Sequence, residues 1–135
     1  MRVVRAIWVL CSACSLPAVA AEQVVCHVDY GGETTVLRAD AVPQPQAVYD
    51  VAPTPVGSYF LFRIVFQRRP HAQASIKLYT YADRDEGPVL IHQARYPYPP
   101  PPHRGEGFTG RHWVYEPVRD GELQYWCALD AGLAR

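Results

Sequence analysis

The sequence predicts an all-β domain, an antiparallel β-sandwich or partly open barrel of about six or seven strands with one disulfide between the first and last strands. Three observations carry this expectation. Short runs of alternating apolar and polar residues recur at intervals of roughly 8–14 positions, with turn residues between them. The longest such run, residues 57–69, is rich in aromatic and β-branched side chains and is bracketed by Gly57 and Pro70. After residue 20 only two cysteines remain, Cys26 and Cys127, near the two ends of the chain.

Residues 1–20 have the three parts of a secretory signal. Arg2 and Arg5 give the positive start, residues 6–16 a short apolar core, and Ala18-Val19-Ala20 an A-x-A cleavage site. The expected product is a single domain over residues 21–135, periplasmic or secreted. A lipoprotein anchored at Cys14 is the alternative, since Ser12-Ala13-Cys14 fits the end of a lipobox; Cys11 stands where that motif has leucine. The apolar core is too short to span a bilayer, and no later segment approaches about 18 apolar residues. No transmembrane segment is expected after signal removal.

In an oxidising compartment an even pair of cysteines reads as a disulfide. Cys26–Cys127 would close a loop of about 100 residues, worth roughly 4–5 kcal/mol in the chain-entropy picture. A redox or metal-ligating pair is the alternative, without a Cys-x-x-Cys to support it. Formal net charge is zero, and loss of Arg2 and Arg5 leaves a slight acidic excess. A nucleic-acid partner would need a clustered positive surface, so none is expected.

Residues 24–28 form the first expected strand, ending at the turn cluster Asp29-Tyr30-Gly31-Gly32, and residues 34–38 the second. Residues 41–56 hold Pro43, Pro45, Pro53 and Pro55 and read as irregular, with an edge segment near Ala47-Val48-Tyr49. In the run that follows, a period of two places Phe60, Phe62, Ile64 and Phe66 on one face and Tyr59, Leu61, Arg63, Val65 and Gln67 on the other. That pattern belongs to a strand inside a sheet. Residues 75–82 and 89–96 read as a hairpin around a five-residue loop, 83–87. Residues 97–107 are proline-rich, then irregular. Residues 108–116 and 122–129 give the last two strands, around an Asp120-Gly121 turn. Val24, Cys26 and Val28 share a face, as do Leu123, Tyr125, Cys127 and Leu129, so inward faces would bury the disulfide.

Tyr125-Trp126-Cys127 resembles the Tyr-x-Cys of immunoglobulin domains. The match stops there: the cysteines are too far apart, and no tryptophan follows Cys26 at the usual interval. The blocks GSYFLFRIVFQRRP, KLYTYADRDEGPVLIHQA and FTGRHWVYEPVRDGELQYWC resemble those of small exported proteins of proteobacteria. That resemblance implies a compartment and brings no activity, ligand or site residue.

Gly105-Glu106-Gly107-Phe108-Thr109-Gly110 satisfies G-x-G-x-x-G in letters only. A dinucleotide site needs a strand before the motif and a helix after it, and here a proline run precedes and a strand pattern follows. Asp83, Asp85 and Glu86 lack the EF-hand spacing and read as a solvated turn. The five histidines (His27, His71, His92, His103, His112) show no zinc motif, although three lie on expected strands that could bring them together. No metal site or cofactor is expected. Ser58 and Ser75 lack a nucleophile-elbow context, so the sequence names no catalytic residue.

Aromatic residues crowd the second half of the chain, and strand alternation turns some outward. The expected binding surface is Tyr59, Arg63, Tyr79, Tyr81 and Trp126. The first functional reading is a non-catalytic periplasmic binding or accessory module for an envelope protein. The second is a glycan-binding module using exposed aromatics, and the third, behind both, an envelope hydrolase.

Overall fold

The computed structural model describes residue 16, residues 21–102 and residues 105–132. The expected secretory signal apart from Leu16, with Cys14 in it, lies outside the described residues, as do His103 and the last three residues of the tail.

Eight strands form: β1 (Gln23–Tyr30), β2 (Glu33–Asp40), β3 (Thr54–Val56), β4 (Phe60–Gln67), β5 (Ser75–Arg84), β6 (Gly87–Pro97), β7 (His112–Glu116) and β8 (Gly121–Asp130). They make two antiparallel four-stranded sheets, ordered β2-β1-β8-β7 and β3-β4-β5-β6. The chain changes sheet between β2 and β3 and again between β6 and β7. The run at 57–69 supplies β4, an interior strand as its two-sided apolar pattern requires. Phe60, Phe62, Ile64 and Phe66 face the core with Ile76 and Leu78, against Val24, Val28, Leu123 and Tyr125 of the other sheet.

Cys26 and Cys127 stand opposite each other in the β1–β8 register and form a disulfide, both side chains fully buried. The first and last strands are thus stapled within one sheet. The bond fits an oxidising compartment. No helix among the described residues is long and apolar enough to cross a membrane.

Four local expectations are corrected. The eighth strand, β3, lies in the proline-rich connection. The edge segment is Thr54–Val56, where Pro55 sits without a central-strand ladder to break. Ala47-Val48-Tyr49 instead belongs to a 3-10 turn, Pro45–Tyr49, opened by proline at its first position. The β5–β6 loop is two residues, Asp85-Glu86, because Arg84 already pairs with Gly87. The strand expected from residue 108 begins at His112; Phe108, Thr109 and Gly110 are a buried turn.

Two further features set side-chain directions. Gly31 and Gly32 both adopt positive φ (62° and 83°), as a two-residue hairpin turn between right-twisted strands demands. On β6, Thr80 pairs with His92 and Tyr81 with Leu90, so Ile91 is the extra residue of a β-bulge. The bulge resets the alternation and carries His92 to the same face as the buried Thr80.

Candidate functional site

The outer face of the β3-β4-β5-β6 sheet carries Arg63, Tyr79 and Tyr81, three of the five expected binding residues. Its middle is not open. Arg63, projecting outward from β4, donates from Nε to the Val51 carbonyl (2.7 Å) and from Nη2 to the Val48 carbonyl (2.7 Å). These bonds draw the Pro45–Tyr49 turn across the sheet and leave outward-facing Val65 almost fully buried. The guanidinium carbon also lies 5.1 Å from the Tyr79 ring centroid, a cation–π contact. Tyr79 in turn stacks near-parallel with Tyr81, centroids 6.4 Å apart. Three of the five expected binding residues therefore form one continuous row.

Beside that row is a groove of about 420 Å³. One wall is the Pro45–Tyr49 turn, where Tyr49 is 85% exposed. The opposite wall is the His71–Gln73 3-10 turn. Lys77 and Arg95 also line it, directly opposite each other on β5 and β6. A smaller hollow of about 120 Å³, lined by Arg63, Tyr79 and Val65, shares Val48, Tyr49 and Lys77 with it. Gln67, nearly buried, donates from Nε2 to the Arg69 carbonyl (3.1 Å) and to Gln73 Oε1 (3.2 Å), which fixes the His71–Gln73 wall.

Tyr59 and Trp126 lie apart from this row. Tyr59 precedes β4, and its ring lies under the Arg119 guanidinium at 4.7 Å. Trp126 is on the outer face of the other sheet, stacked on His27 with ring centroids 4.1 Å apart and planes 9° from parallel. Cross-strand pairing explains the stack, because His27 and Trp126 are register partners. The same face exposes Trp113 (62%) and Tyr115 (53%), two positions apart on edge strand β7. The five expected residues thus divide between two outward faces and one end of the sandwich.

Two of the histidines do meet, inside the seam between the sheets. His92 Nε2 and Tyr125 Oη share a hydrogen bond of 2.7 Å, and Tyr96 Oη and His112 Nε2 one of 2.9 Å. The His92 and His112 rings are 5.4 Å apart. Burial, and for His92 also the neighbouring His112, holds both imidazoles below their ordinary pKa. Burial raises both tyrosines. Thr80 Oγ1, also buried, has no hydrogen-bond partner among the described residues. The cluster is uncharged near neutrality. Histidine count alone could not reveal it, because His92 and His112 lie on different sheets.

The G-x-G-x-x-G segment is a structural loop. Gly107 (φ 62°) packs so closely on the Cys127 carbonyl that a Cβ would lie 2.0 Å from its oxygen. Arg111 binds both oxygens of Glu106 (2.6 Å from Nη2, and 2.9 Å from Nε to the second oxygen) and donates to Asp29 Oδ2 at 2.8 Å. The Arg111 bonds hold Glu106 below the usual carboxylate range; Thr34 and Arg111 do the same for Asp29. A strand, β7, follows the segment where a dinucleotide site needs a helix N-terminus. Among the described residues no three His, Cys, Asp or Glu side chains converge as a metal site. No protein-family model, curated protein or solved structure matches this chain.

Proposed function

We propose that the protein is an exported, non-catalytic binding or accessory module of the cell envelope, and that it holds its partner on the outer face of the β3-β4-β5-β6 sheet. The groove between the Pro45–Tyr49 and His71–Gln73 turns carries this reading. Both walls are fixed by side-chain bonds from the sheet beneath, Arg63 to one and Gln67 to the other. Such walls are preorganised, and little ordering cost remains to be met on binding. The secretory signal and the buried disulfide support the compartment.

The test is retention on immobilised envelope fractions, polysaccharide and protein separately, with wild type and Tyr79→Ala. Loss of retention in Tyr79→Ala with an unchanged melting temperature is the expected result. Equal retention of both proteins, or turnover of a substrate in the same fractions, rejects the reading.

The second reading, a glycan-binding module, is favoured by the opposite sheet. Trp113, Tyr115 and the His27–Trp126 stack share one outward face, and exposed aromatic faces suit sugar rings. Trp126→Ala would then abolish retention on polysaccharide while Tyr79→Ala leaves it intact.

A further inference from the structure

The groove has a charge property that the folding of the sheet does not call for. Lys77 and Arg95 are register partners on β5 and β6, so their side chains leave the same face side by side. Like charges directly opposite each other destabilise a sheet. Neither cation has a carboxylate partner among the described residues, whereas Arg38, Arg84, Arg111 and Arg119 all do. No acidic residue lines the groove. Arg63, the third cation of this face, is engaged by carbonyls and the Tyr79 ring, so its charge also goes unneutralised. This positive field stands on a chain whose formal net charge is zero.

From these observations we infer that the groove is a binding site for an acidic glycan, whose anionic group sits between Lys77 and Arg95. The inference rests on the binding-module reading and adds the class of ligand. Paired cations supply charge-assisted hydrogen bonds to a carboxylate or sulfate oxygen. The groove wall adds neutral polar groups suited to sugar hydroxyls. Gln73 accepts from Gln67 through Oε1, which leaves its own amide N–H groups free to donate. The connected hollow presents Tyr49 and Tyr79 to a sugar ring. At about 420 Å³ the groove is in the usual range of small-ligand sites, roughly 300–1,000 Å³.

The experiment measures affinity of the folded protein for three polysaccharide probes: polygalacturonate, dextran sulfate and neutral dextran. Wild type is expected to bind at least one polyanion more tightly than dextran, and to lose that preference as salt screens the charges. The carboxylate and sulfate-ester arms tell which anion is taken. Lys77→Gln with Arg95→Gln should lower polyanion affinity at least about tenfold, as expected when charge-assisted bonds are lost. Lys77→Arg with Arg95→Lys should keep it, and Trp126→Ala should leave it unchanged. Removing the like-charge pair relieves repulsion, so the Gln double variant should melt no lower than wild type. Polyanion affinity no better than for dextran, or unchanged in the Gln variant, overturns the inference. If dextran is nonetheless bound and is lost in Tyr79→Ala, the binding-module reading stands without its acidic ligand. If none of the three probes binds, the inference fails, and the envelope-fraction retention decides the module reading separately.

Discussion

His92 on β6 and Tyr125 on β8 share a hydrogen bond of 2.7 Å across the two sheets, with His112 stacked on the same tyrosine at 5.0 Å. The bond ties the sandwich together at the seam where β6 meets β7. Its imidazole partner, like that of His112 beside it, stays neutral only above a certain pH. The titratable groups facing the seam are Tyr96 from β6, His112 from β7 and Tyr125 from β8; β5 contributes the uncharged Thr80.

Acid should therefore weaken the fold in a defined window. The folded-state pKa values of His92 and His112 lie below the ordinary value of 6.5. As pH falls through about 6.5 the unfolded chain takes up protons first, so stability declines from there towards the lower folded pKa. Urea midpoints measured between about pH 7.5 and 5.5 should fall with pH in wild type, and much less in a His92→Gln/His112→Gln variant. The same slope in both proteins would place the acid sensitivity elsewhere. The depressed carboxyls of Asp29, Glu106 and Glu116 act in a separate, more acidic window.

Opening the Cys26–Cys127 bond restores freedom to a loop that spans nearly the whole domain. The expected loss is roughly 4–5 kcal/mol in the chain-entropy picture, enough to unfold much of a small domain. Guanidinium titrations with and without reductant measure it directly. A loss below about 1 kcal/mol would mean that the pairing of β1 with β8 already constrains the unfolded chain.

Gly107→Ala should be costly for two reasons that can be separated. Positive φ strains any Cβ by about 1–2 kcal/mol, and the new methyl would also overlap the Cys127 carbonyl. Gly105 has positive φ (107°) but open space around it. Thermal melts should show Gly107→Ala well below Gly105→Ala. Equal melting temperatures would show that the loop shifts to make room.

Arg63→Lys keeps the charge and loses the fork that reaches two carbonyls. The Pro45–Tyr49 turn should loosen, with global stability down by about 1–2 kcal/mol. Hydrogen exchange at residues 45–52 reports this independently of binding. Unchanged exchange there would refute Arg63 as the clamp.

Some of the site was legible in the sequence. Period-two patterning placed Arg63 on the face opposite the phenylalanines. The opposition of Lys77 and Arg95 was not legible, because register depends on turn length. A five-residue loop at 83–87 sets Lys77 opposite Gln93, whereas the two-residue turn together with the bulge at Ile91 sets it opposite Arg95. The groove walls were hidden for another reason. They are short 3-10 turns in segments without periodicity, held by side chains far away in sequence. Trp113 and Tyr115 stood in an expected strand, but only the edge position of β7 leaves them exposed.

By itself, the sequence determined the class of fold, the core face of β4 and the pairing of Cys26 with Cys127. Each follows from local alternation or from there being only two cysteines after residue 20, and neither needs knowledge of how strands are ordered. Tertiary structure alone decided that His92 meets His112, that Trp126 and Tyr79 face opposite ways, and that Lys77 and Arg95 share a groove. Those relationships arise from register, a single bulge at Ile91 and the stacking of two sheets. All three are long-range choices, made by the summed burial of the core and not by any one stretch of residues.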